Sequence, residues 1–304
     1  MKTPRFLALA LILSALAAPA PAVDFIITYQ DGASEGFNDA TLGSQRRAAL
    51  EFAVDIWSQI LDGDVTIRVL AKFDPLGGDA NSATLGFASP VSNHLNISGG
   101  VANTVYPAAI GNQIAGTDLN AGSAEISCTF NTDVDGPVVL GSQSFYYGLD
   151  AGGGGSSNFV TIALHEIGHG LGFLDNFNQN GSYASMGQPN IFDRQLVRPG
   201  VGNVVAQPQA TRATLLISTA LFFQGPAVLA ERPPNGGRIY APSTFEPGSS
   251  IAHWDLSLTP NQLMEPTYNT PIIDPDLELP AFEDMGYQLL GPPMPAETDW
   301  NLYE

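Results

Sequence analysis

The sequence predicts an α+β fold: a twisted mixed sheet with one buried central helix, followed by an irregular C-terminal subdomain. Three observations carry that expectation. Strand-like alternation and helix-like three-four spacing take turns through residues 25–175. The apolar run Val160, Ile162, Ala163 and Leu164 leads into residues 165–175 and places them on a helix inside the core. Beyond residue 175 the periodicity fades into Pro- and Gly-rich chain. The 32 Gly and 23 Pro residues fit a loop-rich architecture, and a 44 % hydrophobic content supplies a core.

In chain order, residues 1–22 read as a secretory signal peptide. Lys2 and Arg5 give the positive start, residues 6–18 are apolar but short for a bilayer, and Ala20-Pro21-Ala22 has the small-x-small form of a cleavage site. The expected location is outside the cell or in a periplasm. An N-terminal subdomain, residues 23–175, opens with a strand at Phe25–Tyr29. A helix follows over residues 44–61, with Ala49, Phe52, Ala53, Ile56, Trp57 and Ile60 on one face. Residues 65–71 alternate as a strand, and residues 74–122 read as loops with short strands. Ile126, Cys128 and Phe130 share one face of another strand, and residues 144–147 form a short one. Four glycines, 152–155, make a joint, after which Ser156, Ser157 or Asn158 caps the central helix. A C-terminal subdomain covers residues 176–290, with a helical stretch near 210–223, and residues 291–304 form a loose tail. No segment after the signal peptide is long and apolar enough for a membrane helix.

Composition excludes several classes. With 30 Asp+Glu against 11 Lys+Arg the net charge is −19, which argues against nucleic acid and anionic lipid as partners. Only 13 % of residues are charged, unlike a disordered acidic tail. The single cysteine, Cys128, rules out an intramolecular disulfide and reads as a buried, inert thiol. Histidine is scarce, with four in all: His94, His165, His169 and His253.

Two of the four stand in His165-Glu-Ile-Gly-His169. Histidines four apart lie on one helix face, so both imidazoles can reach a single ion. Glu166, one position on, is badly placed as a ligand but well placed to take a proton from a metal-activated water. Two imidazoles, a third nitrogen or oxygen ligand and an open position suit Zn²⁺. Gly168 keeps the helix slim where another element packs, and Gly172 suits a helix-ending left-handed residue. The third ligand is either Asp175, three residues after Gly172, or His253 in Ala252-His-Trp-Asp255.

The helix motif ending in Gly172, with Met264 downstream in a Pro-flanked turn, resembles the metzincin class of zinc peptidases. In that class a methionine turn forms an apolar floor under the metal. Asp175 occupies the place where small metzincins carry a third ligand. The leishmanolysin branch is similar in a different way: its third histidine follows a long insertion, precedes a Trp, and lies eleven residues before a Leu-Met turn. Here His253-Trp254 lies eleven residues before Met264 in Leu263-Met264. The resemblance therefore favours His253, and it covers residues 158–175 and 248–268. Leishmanolysin-type enzymes are rich in disulfides, so the likeness is to cysteine-poor, bacterial-looking secreted relatives.

What the resemblance implies is a zincin-like fold whose C-terminal subdomain carries the methionine turn. It also implies zinc on His165, His169 and His253, Glu166 as general base, Met264 as floor, and Tyr268 as a phenol donor to the oxyanion. The activity would be zinc-dependent endopeptidase, with protein or peptide as substrate. The strand holding Cys128 would be the sheet edge along which substrate pairs, unless it is an interior strand. Two other readings stay open: a secreted zinc-binding surface or matrix protein without turnover, and a zinc hydrolase of a non-peptide amide. Ca²⁺ would suit the acidic loops, although no full calcium-loop pattern occurs. The best acidic cluster, Asp274-Pro-Asp-Leu-Glu278, reads as a solvated turn.

Overall fold

Every second residue of Ile67–Asp74 is buried, which is what alternation along one packed sheet face requires. In the computed structural model, which describes residues 22–141 and 143–290, this strand lies inside a four-stranded sheet. The expected tail and all but the last residue of the expected signal peptide lie outside the described residues. We label the strands β1 (Phe25–Tyr29), β2 (Ile67–Asp74), β3 (Gly86–Pro90) and β4 (Ile126–Asn131). Their order is β1-β2-β4-β3; β1, β2 and β4 run parallel, and β3 pairs antiparallel with β4. The sheet is thus mixed, in an α+β fold.

Two expectations are corrected here. Cys128 pairs with Ala71 on one side and Ala88 on the other, so its strand is interior. The edge on that side is β3, a short strand within the Gly-, Ala- and Ser-rich stretch read as loops with short strands. That stretch also contains a helix, α2 (Ala108–Ala115), between Pro107 and the left-handed Gly116. No side chain caps it, so it left no polar start signal in the sequence.

Helix α1 (Gly43–Ser58) buries Ala49, Leu50, Ala53 and Trp57. It ends three residues before the expected limit, because Leu61–Asp62 pairs with Gln288–Leu289 instead. Helix α3 (Phe159–Leu171) is the central helix. Asn158 caps it by accepting the Thr161 N–H at 3.0 Å, and Gly172 ends it at φ 125°. The Trp57 indole donates to the Leu164 carbonyl at 3.2 Å and ties α1 to α3. Gly170 allows α3 to approach β4: a Cβ there would lie 2.3 Å from Cγ2 of Ile126.

After α3 the chain builds a small antiparallel sheet in the order Gly202–Asn203, Leu196–Arg198, Leu221–Phe223, Gly237–Ile239. The helix expected near residues 210–223 spans Gln209–Leu215, and Leu221–Phe223 is a strand. Phe173, Phe192, Phe223 and Trp254 form one chain of ring contacts, with centroids 4.9 to 5.9 Å apart. A last helix, Glu278–Met285, sets Phe282 edge-on against Trp57 at 5.2 Å. Among the described residues no helix is long and apolar enough to cross a membrane.

Candidate metal centre

The four-residue spacing of His165 and His169 brings their Nε2 atoms to 3.1 Å on one face of α3. His253 arrives from the far end of the chain, its Nε2 lying 3.2 Å from each of the other two. Three sequence segments orient the rings. The Nδ1 of His165 lies 2.8 Å from the Leu263 carbonyl, that of His169 lies 2.7 Å from the Phe173 carbonyl, and that of His253 lies 2.8 Å from the Ser249 carbonyl. A carbonyl can only accept, so each Nδ1 carries the proton and each Nε2 presents a lone pair.

Three acceptors facing one another at this distance repel unless a cation lies between them. Tetrahedral nitrogen ligands at the zinc–nitrogen distance of ~2.0–2.1 Å stand about 3.3 Å apart, close to the observed triangle. The donor set therefore fits zinc, with the outer nitrogens held as metal-bound histidines usually are. Burial lowers the pKa of all three imidazoles, that of His253 to about 3, so they stay neutral and ready to ligate. Among the described residues these three form the one group of three or more His, Cys, Asp or Glu side chains with ligand atoms within 4.8 Å of one another.

Asp175 does not join them. Its carboxylate accepts the Phe177 N–H at 2.7 Å and faces the buried Asp193. Burial raises Asp175 to about 7, and burial together with the charge of Asp175 raises Asp193 well above the usual range.

Glu166 is buried beside the triangle, and burial raises its carboxyl to about 8 while the Ala88 N–H, donated from β3, opposes the rise. Gly86 on the same strand makes room: a Cβ there would sit 3.2 Å from Cγ of Glu166. Tyr268 lines the same cleft as His165 and Glu166. Its hydroxyl accepts the Asn158 N–H at 3.0 Å, which leaves its own proton free to donate.

Met264 is fully buried under α3, where Gly168 gives it room: a Cβ at Gly168 would lie 2.7 Å from its Sδ. The turn is held by a residue that sequence reasoning placed in a solvated turn. Glu278 is fully buried. Its Oε1 accepts the Met264 N–H at 3.0 Å and the Trp254 indole at 2.9 Å, and its Oε2 accepts the Asp276 N–H at 3.1 Å. Asp274 and Asp276, by contrast, are exposed as expected. The signal was the spacing of Glu278 with Phe282 and Met285, which puts it on the inner face of a helix. Ile251 adds strain just before His253: it is fully buried at φ 74°, costly for a β-branched residue.

In comparisons with family models, curated proteins and solved structures, none matches this chain.

Proposed function

We propose that the chain is an exported zinc-dependent endopeptidase of metzincin type, most like the leishmanolysin branch. One observation carries the reading: three imidazole lone pairs converge on one point, and a buried carboxylate, Glu166, shares their cleft. A purely structural zinc site has no use for that carboxylate.

His165, His169 and His253 would hold the zinc, which would supply Lewis-acid polarisation of a water and of a scissile carbonyl. Glu166 takes the water proton and passes it to the leaving amine. The Ala88 N–H on the edge strand favours the charged form of that carboxylate. Tyr268, anchored through the Asn158 N–H, donates a hydrogen bond from its phenol to the developing oxyanion. The outer edge of β3 offers backbone groups to an extended peptide lying along the cleft. Met264 takes no part in proton transfer and packs under the helix that holds two ligands.

The test joins metal analysis with a casein assay on purified protein. Wild type should hold about one zinc per chain and cleave casein. Glu166→Gln should keep the zinc and lose about 10²–10⁴-fold in rate. A zinc-loaded Glu166→Gln variant with wild-type activity would refute the mechanism.

A further inference from the structure

The cleft is bordered by residues 81–88, 247–249, 252–253 and 265–268. Apart from the histidines, two charged side chains line it, Glu166 and Glu265, and no Lys or Arg does. Glu166 is taken up by the chemistry. Glu265 is not, and it directly follows Met264.

Glu265 is 4 % exposed. Its Oε1 accepts the Gln262 N–H at 3.0 Å, and its Oε2 meets only the Asn269 amide at a long 3.4 Å. Both donors are neutral. Among the described residues none of the ion pairs includes Glu265. Burial raises its carboxyl, and the nearby charge of Asp255 acts in the same direction. A carboxylate at a cleft wall with no cationic partner is costly by itself. It keeps lone pairs free for a charged donor brought by a ligand.

We propose that Glu265 is a specificity-determining residue that makes the cleft prefer peptides with a Lys or Arg side chain beside the scissile bond. The proposal rests on the peptidase reading and deepens it. Seating a cationic side chain forms a charge-assisted hydrogen bond with Oε2, which Asn269 holds only weakly. An apolar side chain of the same length removes water from Glu265 and returns nothing, so discrimination comes from both attraction and penalty. The chain's net charge of −19 adds a field of the same sign to draw basic peptides in. Oε1 continues to close the turn at Gln262 in either case, so the structural and selective roles of Glu265 use different oxygens.

The experiment starts from the zinc-loaded full chain and a peptide library, with cleavage sites mapped by mass spectrometry. Two matched peptides follow, identical except for Lys or norleucine at the selected position. We expect kcat/KM to favour Lys by about tenfold or more, the factor expected of one charge-assisted hydrogen bond. Glu265→Gln keeps an acceptor for the Gln262 N–H and should bring the ratio close to one while retaining zinc. The ratio is the readout, because a purely structural role would move both rates together. Equal kcat/KM on the two peptides in wild type, or an unchanged ratio in Glu265→Gln, overturns the proposal alone. Zinc-loaded wild type that cleaves neither library nor casein overturns the peptidase reading and this proposal with it.

Discussion

Replacing Glu278 by Ala should be strongly destabilising. The carboxylate is fully buried, and its removal orphans two interior donors, the Met264 N–H and the Trp254 indole N–H. At about 2 kcal/mol for each unsatisfied buried donor, that is about 4 kcal/mol. The Asp276 N–H, nearer the surface, adds about 1 kcal/mol. Part of this is returned, because burial raises the Glu278 carboxyl and its desolvation cost disappears with it. A net loss of about 3–4 kcal/mol remains, a large share of the roughly 5–15 kcal/mol that holds a typical domain folded. Zinc should feel the change too. The Trp254 N–H donates to the Met264 carbonyl at 2.8 Å, and the Leu263 carbonyl holds the His165 ring. Glu278 thus ties the segment bearing His253 to the one orienting His165, and losing it should weaken zinc binding about 10–100-fold. Urea unfolding of metal-free protein, followed by Trp fluorescence, gives the first quantity, and competition with a chelating dye gives the second. A variant that loses less than about 1 kcal/mol and binds zinc like wild type would refute the reasoning.

Three further outcomes follow from the same geometry. His253→Ala should abolish stoichiometric zinc binding, whereas Asp175→Ala should leave about one zinc per chain; the reverse pattern in metal analysis would reassign the third ligand. Gly170→Ala places a Cβ 2.3 Å from Ile126 on the sheet and should cost at least about 1–3 kcal/mol. Gly168→Ala crowds the flexible end of Met264 at 2.7 Å, with Trp57 at an ordinary 3.7 Å, and should cost less, an ordering that urea midpoints will check. The raised carboxyl of Asp175 gives the pH dependence. An acid whose folded pKa is about 7, against an ordinary 3.8, binds more protons folded than unfolded between those values, so it removes stability as pH rises from about 4 to 7. Asp175→Asn should therefore gain on wild type across that window in metal-free urea unfolding, and a pH-independent gap would count against the assignment.

The legible parts of this fold are those where one segment carries its own pattern. Alternation marked residues 65–71 and the strand of Ile126, Cys128 and Phe130, which the structure sets at Ile67–Asp74 and Ile126–Asn131, and an apolar run between a polar cap at 156–158 and Gly172 marked Phe159–Leu171. His165, Glu166 and His169 were legible for the same reason, since helix geometry alone brings them together. The edge strand Gly86–Pro90 was not, because its side chains lack alternation in size and polarity and its pairing depends on Ile126–Asn131, distant in sequence. The position of the Cys128 strand, edge or interior, stayed open for a related reason: a strand pattern records which face is buried, not which neighbours flank the strand. Glu278 was misread because acidic residues in a Pro-containing stretch are usually solvated, and only the helix after it shows that this one faces inward.

The cost of assembling ligands from distant segments explains why so much of the C-terminal half is spent on hydrogen bonds to main chain. His165 and His169 need only a helix, but His253 must be delivered across 84 residues to within 3.2 Å of His169. A strained Ile251, the Ser249 carbonyl on its ring, and the Trp254–Met264–Glu278 linkage each remove a freedom that would blur that distance. With no disulfide available to this one-cysteine chain, these contacts are what fix the triangle. The arrangement also sets the direction of the coupling. Three neutral lone pairs held at 3.1–3.2 Å destabilise the metal-free fold, and a cation converts that repulsion into ligation, so metal affinity and folding stability must rise and fall together.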